Sequence, residues 1–177
     1  MDNGNCGYGL LTGPTGPGNY LICALGTKLY QNGAQCGQCF KISNSNGSSV
    51  TVMATDSCNE AGYCQRDNHF GLSPNAFSIL GLQSKGVLDG LSYVKVPCTV
   101  TGNVKVMMKD GSNAYWTSFL IFNSAINIKQ VSIKLSGSSQ FVNLTQTTYN
   151  YWPTNIIIIQ LVVNSFQLQS KVLKAVK

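Results

Sequence analysis

The 177-residue chain is long enough for one large domain or two small ones, and its formal net charge is +6. Only 10% of its residues are charged, and its one arginine, Arg66, argues against nucleic-acid binding, because arginine provides bidentate contacts to phosphates and bases. The longest apolar run, 156–163, is interrupted by Gln160 and is far too short to span a bilayer.

Two helices are predicted in the first half of the sequence. Residues 20–32 place apolar side chains at helical spacing, and Gly33 provides a stop signal. A second, short helix is predicted to begin at Ser73-Pro74 and to end at Gly81. Serine caps a helix N-terminus, and proline is favoured at the first helical position.

Strand patterns occur in both halves and are the only pattern in the second. Before Cys98, the segments 39–42 and 50–55 are predicted strands, joined by a turn at 44–47. After Cys98, short apolar segments alternate with polar turns, which is typical of an all-β sandwich. These predicted strands are 104–108, 116–123, 126–135, 141–145, 156–163 and 168–176.

The distribution of charge also indicates two modules. Residues 1–98 carry five basic and five acidic side chains, whereas 99–177 carry seven lysines and one aspartate. We therefore predict a first domain over 1–98 and a second over 99–177, the second attracted to an acidic partner. Charged side chains are sparse while Asn, Ser, Thr, Gln and Gly are abundant, so the surface suits sugar hydroxyls better than phosphates.

All seven cysteines lie within the first 98 residues, which predicts a disulfide framework formed in an oxidising compartment. A metal site is a poor alternative, since there is one CxxC motif, Cys36 to Cys39, and a single histidine, His69. A thioredoxin-like redox role would need a βαβ context that the flanking residues do not show. No metal or other cofactor is predicted.

Two sequons point to an extracellular protein. They begin at Asn46 and Asn143, which are candidate N-glycosylation sites. No signal peptide opens the sequence, so we expect a mature or trimmed chain. Together with the cysteines, the sequons predict secretion.

Motifs spread over nearly the whole chain match one known family. The first half contains Cys6-Gly-Tyr-Gly, Gly33-Ala-Gln-Cys-Gly-Gln-Cys-Phe, Ala54-Thr-Asp-Ser-Cys, His69-Phe-Gly-Leu-Ser-Pro-Asn-Ala-Phe and Val96-Pro-Cys-Thr-Val-Thr-Gly-Asn. The second half contains Lys109-Asp-Gly-Ser-Asn-Ala-Tyr-Trp and Tyr149-Asn. In this order, the motifs resemble those of the expansin family.

The resemblance implies a mainly β chain. A six-stranded double-psi β-barrel, related to that of family 45 glycoside hydrolases, would occupy 1–98, and an immunoglobulin-like, cellulose-binding β-sandwich would occupy 99–177. The resemblance also implies disulfides that join Cys6 to Cys36, Cys39 to Cys98 and Cys58 to Cys64. Cys23 is left over and lies on the apolar side of the predicted helix; we expect a buried free thiol, the alternative being an intermolecular bridge.

Two departures from the family pattern bear on function. In the motif at His69, expansins and family 45 hydrolases usually carry an aspartate where this chain has Gly71. That aspartate is the catalytic acid of the hydrolases, and some relatives need it for wall loosening. The sequence also begins where the family's first barrel strand should end, so either the sequence is trimmed or that barrel edge is rebuilt.

Inverting hydrolysis of a glycoside needs two placed carboxyl groups, one acid and one base. Asp56 follows a predicted strand and suits a groove, whereas Asp67 precedes His69 by two residues and cannot inherit the acid's role. Loss of the proton donor costs roughly 10²–10⁴-fold in rate, so no catalytic residue is predicted. The candidate groove residues are Tyr8, Asp56, Asp67 and His69. The alternative for Asp56 is a turn or cap aspartate, and the alternative for Tyr8 and His69 is a packed ring.

The resemblance places Tyr115, Trp116 and Tyr149 in the family's linear aromatic platform, on which flat sugar rings stack, and Tyr151 would extend this row. Adjacent residues on a regular strand face opposite sides, so Tyr115 and Trp116 share a surface only if a turn or bulge reorients one of them. Tyr151 shares the parity of Tyr149, and Trp152 then points the other way. The alternative is that these rings belong to the core.

The sequence therefore predicts a secreted, monomeric cell-wall protein that binds cellulose or a related β-glucan without hydrolysing it. Loosening would follow from competition with hydrogen bonds between glycan chains. Acidic pectin is a further predicted partner. Binding to nucleic acid or to a membrane is not predicted. Two alternatives are a weak endo-β-1,4-glucanase of the family 45 type and a barwin-like chitin-binding defence protein, which would leave the second domain unexplained.

Overall fold

The computed structural model describes residues 2–113, 115–135, 138–155, 158–165 and 168–174, and it is mainly β. The first 98 residues form the strands β1 (Ile22–Gly26), β2 (Cys39–Ser43), β3 (Ser49–Cys58), β4 (Phe70–Leu72) and β5 (Ser92–Val96). They also form the helices α1 (Thr27–Tyr30) and α2 (Pro74–Leu80) and single 3-10 turns at Tyr63–Gln65 and Gln83–Lys85. None of the helices among the described residues could span a lipid bilayer.

The helix predicted over 20–32 is wrong. Residues Ile22–Gly26 form β1, which is buried at every position, and only Thr27–Tyr30 is helical. A short apolar run fits a buried strand as well as one helix face, and Gly26 disfavours a helix through it. Cys23 lies on this strand, fully buried, and is free, as predicted.

Other local predictions in the first half are confirmed. The β2 and β3 strands pair antiparallel around the predicted turn. The second helix begins at Pro74, and the hydroxyl oxygen of Ser73 accepts a hydrogen bond from the amide of Ala76 at 3.4 Å. The predicted disulfides also form: Cys6–Cys36, Cys39–Cys98 and Cys58–Cys64.

The five strands form one sheet in the order β4-β1-β3-β2-β5, in which β1 and β3 run parallel. The resemblance implied six strands for the barrel of the first half, and the described residues of that half form five. The edge strands β4 and β5 meet through side chains: the rings of Phe70 and Tyr93 lie 4.9 Å apart, and Phe40 packs edge-on against both. An aromatic cluster therefore fills the interior between the two edges.

The second half forms two antiparallel sheets. Their strands are β6 (Lys105–Met108), β7 (Thr117–Phe122), β8 (Ile128–Leu135), β9 (Phe141–Asn143), β10 (Tyr151–Thr154), β11 (Ile158–Ser165) and β12 (Leu168–Lys174). The orders are β10-β7-β6 and β12-β11-β8-β9. The sheets pack through a buried cluster of Phe119, Ile121, Val131, Ile133 and Trp152, which confirms the predicted sandwich. Strand β10 was not predicted; it contains Pro153, which is tolerated because β10 lies at a sheet edge.

The three-stranded sheet packs on both faces. Phe119 and Ile121 of β7 face the sandwich core, whereas Leu120 between them is fully buried in the core of the first half. Met107, Phe122 and Tyr151 pack into the same cluster from the second half. The apolar core of the first half therefore continues into the second.

Hydrogen bonds across this junction add to the apolar packing. The Tyr30 hydroxyl donates to the Thr148 carbonyl at 2.6 Å, and the Asn127 side-chain amide donates to the Ala34 carbonyl at 2.6 Å. The side-chain amide of Asn150 donates to the Cys6 carbonyl at 3.1 Å. Each such bond contributes about 0.5–1.5 kcal/mol to stability. The two halves are thus joined by both apolar and polar contacts.

Substitution of Gly7 tests this junction. A Cβ at Gly7, where φ is +73°, would lie 2.6 Å from Cε2 of Tyr151 in the other half of the chain. We expect Gly7→Ala to lower the free energy of unfolding by about 1–3 kcal/mol more than Gly9→Ala, because overpacking forces neighbouring groups to shift. Gly9 is a matched control, since its φ is +63° and its Cβ would meet nothing within 4 Å. Equal decreases in the free energy of unfolding for the two variants, measured by urea denaturation, would contradict the packing of Gly7 against Tyr151.

Candidate functional site

Asp56 and Gly71 lie in one row across the first sheet. Ala24 of β1 pairs with Asp56 of β3 on one side and with Gly71 of β4 on the other. Two strand spacings therefore separate the candidate acceptor from the position where the family carries its acid, roughly 9–10 Å between Cα atoms. A Cβ at Gly71 would touch only Ala24, at 3.5 Å from its Cβ, so a side chain fits there.

Asp56 has a structural role that leaves part of its carboxylate free. Its Oδ1 accepts hydrogen bonds from the backbone amides of Asn5 at 2.7 Å and Ser57 at 2.8 Å. These bonds hold the N-terminal segment against the end of β3. Oδ2 accepts no bond from the part of the chain that the structure describes. The side chain is half-buried, so this oxygen is available to a hydroxyl donor.

Tyr30 lies beside Asp56 and joins it to the second half. Its hydroxyl, which donates to Thr148, also lies 3.5 Å from the Asn5 carbonyl. Burial, with the negative charge of Asp56 as a smaller cause, raises the pKa of Tyr30 to about 12. The phenol therefore stays protonated near neutral pH and keeps its donor role.

His69 lies further along the same face and is neutral near pH 7. Burial, and secondarily the Arg66 charge, lowers the pKa of the imidazole. Its ring centroid is 6.3 Å from that of Tyr63, over which the Arg66 guanidinium lies at 4.3 Å. A ring nitrogen of His69 and the sulfurs of Cys58 and Cys64 lie within 4.8 Å of one another. Both sulfurs belong to a disulfide, whereas metal ligation by cysteine needs a thiolate.

Asp67 is exposed and forms an ion pair with Lys28. Asp67 and His69 both line a cavity of about 490 Å³ beside the segment 86–93, and Asp56 does not. The structure therefore brings Asp67 and His69 together at this cavity. A surface ion pair of this kind contributes little to stability.

Tyr8 does not lie on the surface of the groove. It is only 5% exposed and belongs to the core of the first half, and burial raises the pKa of its hydroxyl. A Cβ at Gly37 would lie 2.5 Å from that hydroxyl, so Gly37 makes room for it. Of the two roles considered for Tyr8, the structure agrees with packing.

Tyr115 and Trp116 lie in a turn before β7, which satisfies the geometric condition for sharing a surface. The side-chain oxygen of Asn113 accepts hydrogen bonds from the amides of Tyr115 at 2.8 Å and Trp116 at 3.1 Å. The Asn113 amide donates to the Trp116 carbonyl at 2.7 Å. The two side chains are 87% and 36% exposed, respectively.

Tyr149 and Tyr151 lie next to each other, with ring centroids 5.9 Å apart. Tyr149 is 44% exposed, and Tyr151 is half-buried against Gly7 at the junction of the two halves. The ammonium group of Lys109 lies 5.8 Å from the Tyr151 ring centroid. Trp152 is 3% exposed and points into the sandwich core, as the strand parity predicted.

Trp116 immediately precedes β7, the strand that pairs with the strand of Tyr151. The β7 and β10 strands pair Leu120 with Tyr151 and Thr117 with Thr154. Trp116 lies in the turn before this register, so strand alternation does not determine the side on which its ring lies.

Several contributors to the site were not predicted from the sequence. Tyr30 fell within the mispredicted helix, and its partner Thr148 lies 118 residues away, so no local signal identifies the pair. The Asn5 amide and the Lys109 ammonium are likewise placed by tertiary contacts alone. The family resemblance pointed to the aromatic rings as candidates but gave no sign of the junction between the two halves.

Comparison with protein families gives matches over most of the chain. Residues 1–93 match the expansin N-terminal domain, and residues 99–167 match the expansin-like protein middle domain. Expansin-like protein 5 of Dictyostelium discoideum is 85% identical over 156 residues, which cover 88% of this chain and 66% of the relative. Expansin-like protein 3 of the same organism is 78% identical over 156 residues, with 47% of its length covered. The chain thus spans about half to two thirds of these curated relatives.

Two solved structures and a plant protein extend the comparison. Expansin-A7 of Arabidopsis thaliana is 32% identical over 148 residues, which cover 74% of this chain and 55% of the plant protein. A mutant Clavibacter michiganensis expansin in complex with cellohexaose is 26% identical, with a TM-score of 0.81 over all of this chain and 83% of the bacterial one. The apo form of that expansin gives 0.80. With both of its halves matched in sequence and its fold matched in structure, the chain belongs to the expansin family.

Proposed function

We propose that this protein binds cellulose or a related β-glucan and acts on it without hydrolysis. The exposed rings of Tyr115, Trp116 and Tyr149 carry the proposal, because sugar rings stack on aromatic faces while their polar edges stay hydrated. The structural relative that binds cellohexaose supports a glucan ligand. The proposed platform comprises Tyr115, Trp116, Tyr149 and Tyr151.

The junction supports a binding surface that continues from the platform into the first half. Tyr151 touches both Tyr149 and Gly7, and Gly7 belongs to the segment that Asp56 holds. A glycan strand on the platform would therefore meet Asp56, whose free oxygen accepts from a sugar hydroxyl. We assign the groove to Asp56 and His69, with Asp67 at its margin and Tyr8 in the core of the first half.

Gly71 removes the proton donor from this groove. Across the row from Asp56, glycine offers no group that protonates a leaving glycosidic oxygen. Asp67, held to Lys28, lines a cavity that Asp56 does not line. Binding without cleavage is therefore the activity that these residues support, and wall loosening would come from displacing glycan–glycan hydrogen bonds.

Acidic pectin is a second proposed ligand because the positive charge lies in the second half. Residues 99–177 carry seven lysines and one aspartate. Burial and the nearby charge of Lys129 lower the pKa of Lys95, which indicates that cationic groups approach each other across the junction. An acidic polysaccharide would relieve this repulsion. Binding of that kind weakens as salt screens the charges.

An extracellular, cell-wall location is consistent with the chemistry of the first half. Three disulfides persist in oxidising compartments. Asn46 and Asn143, the proposed glycosylation sites, are both exposed. We propose two domains, 1–98 and 99–177, that act together as a monomer. A barwin-like chitin-binding protein would not need the aromatic surface of the second domain.

Replacement of Trp116 tests the platform. We expect Trp116→Ala to weaken adsorption to cellulose about tenfold, because one stacking ring is lost from the proposed surface. Adsorption isotherms with microcrystalline cellulose measure the effect. Phe141→Ala is the matched control, since Phe141 is 47% exposed but lies on β9 of the other sheet.

The same adsorption measurement is repeated with chitin and with pectin. Adsorption to pectin should fall as sodium chloride rises, whereas adsorption to cellulose should change little. If Trp116→Ala and Phe141→Ala lost cellulose adsorption to the same extent, the aromatic platform would be contradicted. Preferential adsorption to chitin would favour the barwin-like alternative.

Product analysis tests the absence of hydrolysis. The purified protein should release no more reducing ends from amorphous cellulose than Asp56→Asn does, because one carboxylate cannot supply both acid and base. Sustained release that Asp56→Asn abolishes would establish a family 45-like endoglucanase instead.

Restoring the acid tests whether position 71 limits wall loosening. Gly71→Asp should keep the stability of the protein, because the new Cβ makes only an ordinary contact with Ala24. We expect the variant to extend heat-inactivated wall strips more than the wild-type protein does. Gly71→Asn is the matched control of equal size without the acid. Equal extension by all three proteins would show that position 71 is not limiting.

A further inference from the structure

A second cavity, of about 380 Å³, lies between the two halves of the chain. Its walls come from the loop 14–19, from β2 and β3, from the segment 98–101 and from residues 121–128. Of the proposed groove and platform residues, only Tyr8 lines it. The cavity is therefore distinct from the surface proposed to bind cellulose.

The cavity is held in shape by bonds that cross the junction. The Cys98 amide donates to the Ala125 carbonyl at 2.6 Å, and the Cys39–Cys98 disulfide anchors the same wall. Asn127 is buried and donates its side-chain amide to the Ala34 carbonyl. A cavity preformed in this way loses little conformational entropy when a ligand binds.

Three amide side chains in the walls have fixed orientations. Each donates its amino group to a backbone carbonyl: Asn123 to Thr101 at 2.7 Å, Asn127 to Ala34 at 2.6 Å and Gln146 to Gly33 at 3.4 Å. A carbonyl only accepts hydrogen bonds, so the chemistry of the partner settles which end of each amide is the NH₂ group. The side-chain oxygen of each amide therefore points away from that backbone carbonyl.

The oxygens of these amides have no hydrogen-bond donor among the described residues. Within the described ranges, the side-chain oxygens of Asn123, Asn127 and Gln146 accept no hydrogen bond. Asn127 is only 6% exposed, so bulk water reaches it through little more than the cavity. A ligand with hydrogen-bond donors would supply the partners that these oxygens lack.

The other lining groups restrict the ligand further. Leu21, Met53, Ile121 and Phe122 supply apolar surface, and Lys105 is the only charged side chain that lines the cavity in the part of the chain that the structure describes. A cation is disfavoured by the charge of Lys105, and an anion is disfavoured by the lone pairs of the amide oxygens. A neutral molecule with hydroxyl donors and apolar C–H faces satisfies both sets of groups. A pyranose sugar has this combination.

We infer that this cavity is a second carbohydrate site, which binds one or two rings of a neutral sugar independently of the aromatic platform. The volume lies at the lower end of the range for small-molecule sites, so it suits a chain end or side branch rather than the middle of a polymer. The amide oxygens of Asn123, Asn127 and Gln146 accept from the sugar hydroxyls, and Phe122 and Met53 pack against the ring.

Titration of the isotopically labelled full chain with cellobiose tests the inference. Backbone amide signals of residues 99–101 and 121–128 should shift at millimolar sugar, in the wild-type protein and equally in Trp116→Ala. The same signals should not shift with sorbitol, which carries hydroxyl donors but no ring. Shifts confined to the region of Tyr115 and Tyr149, or equal shifts with sorbitol, would overturn the inference.

Occlusion of the cavity mouth provides the second test. Thr99 is exposed, lines the cavity and makes no side-chain hydrogen bond to the described residues, so Thr99→Tyr should fold and weaken cellobiose binding at 99–101 and 121–128 by at least about tenfold. Thr12→Tyr is the matched control, because Thr12 is exposed outside the lining. Cellulose adsorption should be unchanged in both, which separates this site from the platform. Unchanged cellobiose affinity in Thr99→Tyr would contradict the assignment.

Discussion

The burial of β7 on both faces is the constraint on which the rest of the structure depends. Phe119 and Ile121 face the sandwich core, and Leu120 between them faces the core of the first half. Sliding or tilting this strand would expose apolar surface on one side or the other, at a cost of roughly 25 cal/mol per Å². The three-stranded sheet therefore fixes the second half against the first.

Function follows from that fixed junction. Tyr151 is part of the same sheet face as Leu120, and its ring packs against the Tyr149 ring and against Gly7 of the N-terminal segment that Asp56 holds. The Tyr30 hydroxyl reinforces the arrangement through Thr148. A platform alone would adsorb to a glycan; the junction aligns it with an acceptor in the groove. The same junction encloses the second cavity, whose walls neither half could form alone.

Local signals in the sequence predicted the features that depend on neighbouring residues. The Ser73-Pro74 helix start, the β2–β3 pair and the inward position of Trp152 follow from capping chemistry and strand parity. The helix predicted over 20–32 failed because its apolar spacing also fits a central strand. Tyr30–Thr148 and the acceptors Asn127 and Gln146 could not be predicted, since each depends on contacts between distant segments.

Residual dipolar couplings measured on the full chain in a weakly aligning medium test the central claim most directly. Rigid attachment through β7 predicts that one alignment tensor reproduces the couplings of residues 22–96 and of residues 105–154 together. Two tensors of different orientation or magnitude would show that the halves move independently. The aromatic surface and Asp56 would then not form one binding surface.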